Sequence, residues 1–378
     1  MTNWSGDPED IYSSLGVKRV ITASGTTTAY GGSKLRPEVM EAMNKAATMM
    51  VNMDDLNRAA SKAIAVATGA EAGFVSGGSA SGLVLQAAAV LAGSDPAKMR
   101  QLPNTDGMKN EFIIHRTHRF PYDQCYVSAG AKFVEIGDGR RCYAWEMEAA
   151  FTENTAAAVY LFSNFTSRRA IAFPEFCEIA HFHDVPVVVD AASYVPPRSH
   201  LKRFTREGAD MVIYSGGKAV RGPQGTGILC GKQDLIDAAF ANASPHQFIG
   251  RSAKVSKEEI IGLLAALEIF LAEDEDAQMA KLREMSQNVV DALVEVPGLH
   301  VTMEHDPYNY LTPHALLKFT SEWCGPERDD IWQAMADGDP PVYLHNIHNP
   351  DELAVDPINL DDEELGIVIE RLRETLLG

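Results

Sequence analysis

After about residue 66 the chain alternates short, nearly continuous apolar runs with helical stretches, and this rhythm restricts the fold more than any other feature. The runs at 73–75, 112–115, 132–136, 157–162, 186–190, 211–214 and 227–230 read as strands. Runs without polar alternation suit strands covered on both faces. The stretches 82–92, 174–183 and 201–208 read as the helices between them. Strand–helix alternation of this kind predicts an α/β fold built on a mostly parallel sheet.

A chain of 378 residues is long enough for a large domain and a smaller α/β one. The expected division has three parts. Residues 1–65 form an N-terminal segment packed on the small domain or on a partner subunit. Residues 66–250 form the large domain, and residues 251–378 a linker helix and the small C-terminal domain. Ser256 and Glu259 have the spacing of a capping box and are expected to open the linker helix. The segment 361–377 reads as a helix with an acidic start and a basic finish, in accord with the helix dipole.

The formal net charge of −19 repels phosphate backbones and argues against a nucleic-acid partner. Residues 1–10 lack the basic and apolar regions of a signal peptide. No apolar stretch approaches the length of a membrane span. Cys125, Cys142, Cys177, Cys230 and Cys324 have no paired spacing, which points to reduced thiols in a cytoplasmic protein rather than a disulfide frame or a zinc site.

Three pieces of chemistry follow one another along the α/β region. The first is Ser76-Gly77-Gly78-Ser79 with Ala80-Ser81-Gly82, after a strand and at the start of a helix. Small residues let backbone N–H groups and hydroxyls approach an anion at a helix N-terminus. The loop is neither a P-loop nor a dinucleotide fingerprint, and taken alone it is also an ordinary tight turn. The second is Asp190, at the carboxyl end of the run Val187-Val188-Val189, where α/β sheets bind ligands. Taken alone it is equally a helix N-cap. The third is Tyr214-Ser215-Gly216-Gly217-Lys218, followed by Gly222-Pro223-Gln224-Gly225-Thr226-Gly227. A lysine between two apolar strands is expected to turn inward, where burial lowers its pKa and makes it a nucleophile and base.

In that order the three pieces resemble the fold-type I pyridoxal-phosphate (PLP) enzymes of the aspartate-aminotransferase fold. The resemblance implies that Lys218 holds PLP as a Schiff base and that Asp190 keeps the pyridine nitrogen protonated. It also implies that Ser76, Gly77, Gly78, Ser79 and Ser215 cradle the phosphate.

Further segments are similar to one branch of these enzymes. They are Leu15-Gly16-Val17-Lys18-Arg19-Val20-Ile21, Ser24-Gly25-Thr26, Gly31-Gly32-Ser33, Arg36-Pro37-Glu38-Val39, Thr68-Gly69-Ala70-Glu71-Ala72, Ser163-Asn164, and Gly250-Arg251 with Lys257-Glu258-Glu259. That branch is the selenocysteine-synthase-like family of seryl-tRNA selenium transferases and D-glucosaminate-6-phosphate ammonia-lyases. Membership implies a homodimer or larger homo-oligomer with active sites at subunit interfaces. The family-like opening starts near residue 11, which leaves no room for the transferases' tRNA-gripping domain. With the acidic charge, this favours a small amino acid or amino sugar acid as substrate.

Around this set, His118 or Arg119 is expected to stack on the cofactor ring, and Asn164 to contact the cofactor. Arg36, Arg119 and Arg251 are candidates for a substrate carboxylate or phosphate; each is otherwise a surface ion pair. His181 and His183 are expected to face water at a helix end. The spacings His115/His118 and His345/His348 lack the carboxylates or thiols of a metal centre, so no metal is expected. The implied chemistry is α,β-elimination: Lys218 removes the α-proton, a β-hydroxyl leaves as water, and a 2-keto acid and ammonia result. Reprotonation on the other face would instead make a racemase or epimerase. Selenium-transferase-like β-replacement and a non-catalytic PLP-binding protein use the same cofactor residues.

Overall fold

All seven apolar runs form strands of one sheet in the computed structural model, which describes residues 8–163, 170–346 and 349–378. The strands are β1 (Ala72–Ser76), β2 (Glu111–His115), β3 (Lys132–Ile136), β4 (Thr155–Leu161), β5 (Val187–Asp190), β6 (Met211–Ser215) and β7 (Gly227–Gly231). Their order across the sheet is β1-β7-β6-β5-β4-β2-β3. Neighbours pair in parallel except where β7 runs antiparallel between β1 and β6. Strands β1, β4, β5 and β7 are buried at every residue, as both-face coverage by helices requires. The edge strand β3 instead exposes Lys132 and Glu135, charges that discourage pairing with another chain.

The chain divides into two compact units, Leu35–Glu273 and a smaller one made of Met1–Lys34 with Asp274–Gly378. The boundaries therefore differ from the expected 65/66 and 250/251. Residues 35–65 belong to the large unit, because helices Pro37–Ala47 and Met53–Thr68 are packed into it. Ile64 of the second helix fills the space that Gly73 of β1 leaves open. The helix Lys257–Ala272 is the last element of the large unit. Its capping box forms as expected: the Ser256 Oγ accepts from the Glu259 N–H at 3.2 Å, and the Glu259 carboxylate accepts from the Ser256 N–H at 3.0 Å.

The small unit holds an antiparallel sheet, Glu352–Val355, His314–Phe319 and Leu299–Glu304 in that order, and a parallel pair, Ile21–Ala23 with Val342–Leu344. Its last helix, Asp362–Leu377, is capped by Asp361 and acidic in its first turn, but no basic residue lies in its last turn. Arg371 and Arg373 sit earlier and donate to the carbonyls of Pro340 and Ala292, so packing contacts place these arginines.

Within this unit Asp356 is buried beside Gly25, whose positive φ of +72° and missing side chain make room for the carboxylate. His314 Nε2 lies 3.4 Å from the Asp356 Oδ2, and its Nδ1 donates to the Thr312 carbonyl at 2.6 Å. Burial disfavours charge on both groups. Their mutual attraction still lifts His314 above its ordinary 6.5 and holds Asp356 below its ordinary 3.8, with His345 adding to the pull on Asp356. The His314 contribution is present below about pH 6.5 and is lost as pH rises through its raised pKa. The Asp356 contribution is present above about pH 4 and is lost as pH falls through its lowered pKa. Asp356→Asn should therefore cost about 3 kcal/mol near pH 5.5 and distinctly less near pH 9. Urea unfolding at the two pH values, followed by tryptophan fluorescence, measures the difference.

Candidate active site

Parallel pairing brings the carboxyl ends of β1, β2, β4, β5 and β6 to one edge of the large sheet, where Ser76, Asp190 and Ser215 end their strands and Lys218 follows in the next loop. Gly227 is paired with Ser76 on one side and Ser215 on the other, so the reversed strand β7 sets the two serine-bearing ends side by side. Ser76 is buried and its hydroxyl donates to the Gly78 carbonyl at 2.8 Å. Helix Gly78–Ala92 starts directly after Gly77 with no side chain capping it, which leaves its first N–H groups available. Gly78 has φ +76° and open space where a Cβ would be, whereas a Cβ on Gly77 would lie 2.6 Å from the Ala253 carbonyl oxygen. The first observation describes an open cradle and the second a backbone packed too closely for any other residue.

Asp190 ends β5 and is 9% exposed. Its Oδ1 accepts from the Ala192 N–H at 3.0 Å. Burial raises the carboxyl pKa, while this hydrogen bond and the charge of Lys218 act to lower it. Lys218 shows the mirror image: burial lowers its pKa and Asp190 acts to raise it. The lysine stands in a tight loop closed by Arg221 N–H to Lys218 carbonyl and Gly222 N–H to Gly216 carbonyl, both 2.8 Å. Gly217 is needed there because a Cβ would meet Gln224 Cα at 2.6 Å.

A narrow cleft beside Asp190 is lined by His118, Phe120, Tyr122, Asp123 and Tyr126. His118 is 2% exposed, and burial with the neighbouring His115 keeps its pKa well below 6.5, so the ring is neutral. Its Nδ1 accepts from the Leu161 N–H at 3.4 Å, and it meets Tyr160 edge-on at 4.6 Å. Arg119 points elsewhere, into ion pairs with Asp123 and Glu135 and over the Phe133 ring. Of the two residues considered for ring stacking, the cleft contains His118.

The remaining arginines separate in the same way. Arg36 is buried, grips both Glu273 carboxylate oxygens at 2.5–2.6 Å and donates to the Val220 carbonyl in the Lys218 loop at 3.2 Å. Arg251 is exposed, and no ion pair to another described residue holds it. Asn164 and His348 lie outside the described residues. His181 and His183 are not simply solvated: they pair with Asp210 at 2.8 Å and Glu148 at 2.7 Å.

The sequence reading missed Asp123, Tyr126 and Gln86. Tyr126 donates its hydroxyl to the Gln86 Oε1 at 2.8 Å, and the Gln86 Nε2 donates to the Val189 carbonyl at 3.1 Å. The available signal was one amide inside the apolar helix segment Leu83-Val84-Leu85-Gln86-Ala87-Ala88-Ala89.

The fold, and the order in which these groups occur along it, put the chain among the fold-type I PLP enzymes. Residues 20–297 match the family model described as L-seryl-tRNA selenium transferase, and the chain belongs to that family. It is 30% identical to D-glucosaminate-6-phosphate ammonia lyase of Salmonella typhimurium, over 97% of each chain. It is 32% identical to 5'-C-glycyluridine monooxygenase-decarboxylase of a Streptomyces species, over 97% of this chain and 92% of that one. A solved structure of D-glucosaminate-6-phosphate ammonia-lyase superposes with a TM-score of 0.85 at 30% identity, covering 97% of this chain and 98% of that one.

A Cβ on Gly227 would fall 2.5 Å from the Ser76 Oγ and 2.7 Å from the Gly78 carbonyl. Gly227→Ala should push the Ser76–Gly78 turn aside at a cost of about 1–3 kcal/mol, read as a lower urea midpoint.

Proposed function

We propose that this chain is a PLP-dependent ammonia-lyase converting a small β-hydroxy amino acid or 2-amino sugar acid into the 2-keto acid and ammonia. The observation that carries the reading is buried Asp190 with half-buried Lys218 at the carboxyl edge of the sheet, each acting on the other's charge. Similarity to an ammonia lyase over 97% of the chain supports it.

The residues fit the cofactor. The open N-terminus at Gly78 suits a phosphate, with Ser76, Gly77, Ser79 and Ser215 around it. Asp190, with a single hydrogen bond from a described residue, has room for a cationic partner. Neutral His118 lines the cleft beside that carboxylate. When bound, PLP supplies a carbonyl carbon that captures an amine and a protonated ring that withdraws electrons.

The chain's own groups do the rest. Asp190 holds the proton on the ring nitrogen. Lys218, whose burial favours the neutral amine, anchors the cofactor and takes the α-proton of the substrate. The β-hydroxyl leaves as water, and a water regained on hydrolysis releases the keto acid and ammonia. Arg251 is the favoured contact for a substrate carboxylate or phosphate, since Arg36 and Arg119 already hold carboxylates. In this reading the protein works in the cytoplasm, as its scattered cysteines suggest, and forms a homodimer or larger homo-oligomer, as the family resemblance implies.

The similarity to a monooxygenase-decarboxylase favours a second reading, in which oxygen and loss of the carboxylate replace elimination. The two differ in product. The purified protein should be yellow, and borohydride should fix the cofactor on the peptide containing Lys218; another labelled lysine, or none, refutes the assignment. Asp190→Asn should keep the fold and lose on the order of 10²–10³ in rate. A panel of D- and L-β-hydroxy amino acids and 2-amino sugar acids should yield keto acid and ammonia without oxygen uptake. Oxygen consumption with CO2 release supports the second reading, and inversion at the α-carbon without ammonia refutes elimination. Seryl-tRNA should give no gel shift at low salt, where a polyanion would bind best.

A further inference from the structure

The geometry points to Gln86 and Tyr126 as positioning residues for Asp190, joining the helix that opens at the phosphate cradle to the strand that carries the carboxylate. The inference rests on the proposed cofactor reading and names residues that reading does not use.

Gln86 is fully buried and lies eight residues after Gly78 on helix Gly78–Ala92, about 12 Å along its axis. Both ends of its amide are engaged. The Nε2 donates to the Val189 carbonyl at 3.1 Å, one residue before Asp190, and the Oε1 accepts from the Tyr126 hydroxyl at 2.8 Å. This arrangement has only one satisfactory orientation, because a flipped amide would set oxygen against the Val189 carbonyl. Tyr126 fixes that orientation from helix Gln124–Ser128 and is itself 2% exposed. It also lines the cleft that contains Asp190 and His118.

A buried polar network inside an apolar helix–sheet layer is costly unless every member is satisfied, and a satisfied one specifies a single arrangement. Here the arrangement fixes the carbonyl adjoining Asp190 relative to the helix N-terminus. A group held covalently at Lys218 and ionically at both ends needs that spacing constant to a fraction of an ångström. The alternative is that Tyr126 only packs, since its ring also meets Phe112 and Phe133.

Tyr126→Phe keeps the ring and removes only the hydroxyl, and Gln86→Met keeps the length and removes the amide. The readout is the pH titration of the visible absorption of PLP-loaded protein, taken with the affinity of the apo-protein for PLP by fluorescence. The groups that act on this titration are Asp190 and Lys218, with Cys125 and Tyr126 feeling the Asp190 charge. A less firmly held Asp190 stabilises the protonated chromophore less. The half-titration pH should therefore fall by about one unit, PLP affinity by about tenfold, and kcat by roughly 10- to 100-fold with KM nearly unchanged. Loss of core packing alone lowers the unfolding temperature without moving the titration.

A wild-type titration, affinity and kcat in Tyr126→Phe overturns the role, whatever its melting temperature, and so does the same result in Gln86→Met. Should Gln86→Met fail to fold, Tyr126→Phe decides alone. Unsubstituted protein that takes up no PLP overturns the cofactor reading itself, which is a different result from wild-type behaviour in the variants.

Discussion

A buried carboxylate and a half-buried ammonium at the same sheet edge set the terms for everything around them. Neither Asp190 nor Lys218 is well solvated, and each is drawn toward its neutral form by burial and toward its charged form by the other. Such a pair is weak support for a fold, because desolvation consumes much of the attraction. Its use is chemical. In the proposed reading, a lysine whose proton is loosened by burial, near an acid held by the Ala192 N–H, is prepared for a cation that would settle on the acid and an amine that would replace the lysine. The glycines before Lys218, the one hydrogen bond to the Asp190 carboxylate among the described residues and the neutral histidine nearby are consistent with that reading.

The large sheet was legible from sequence because its strands are apolar on both faces, a pattern that survives without tertiary knowledge. All seven expected strands form, with ends shifted by a residue or two. The place of residues 35–65 was not legible. Helices Pro37–Ala47 and Met53–Thr68 are amphipathic, and amphipathicity states that a face is covered without stating by what. That the partner is the large unit depends on contacts such as Ile64 against Gly73, which no spacing rule encodes.

The candidate site divides along the same line. Ser76 and Asp190 end recognisable strands and Lys218 follows a third, so their placement at one sheet edge was readable even though each alone had an ordinary structural reading. Arg36 and Arg119 looked like ligand-binding groups because an arginine's partner is invisible in sequence; the structure gives them Glu273, and Asp123 with Glu135. Gln86 and Tyr126 were overlooked for the opposite reason, since one amide in an apolar helix and one phenol in a short helix are ordinary features until their hydrogen bonds are known.

Strand β7 alone runs against its neighbours, and Gly227 within it is shared by Ser76 and Ser215. The chain between Lys218 and Gly227 thus joins the proposed Schiff-base lysine to a rung of the ladder. A one-residue slip of β7 along its neighbours would set a side chain beside Ser76, where a Cβ has no space. The turn is therefore coupled to the ladder: the Ser76–Gly78 backbone keeps its place only while Gly227 keeps its register between Ser76 and Ser215.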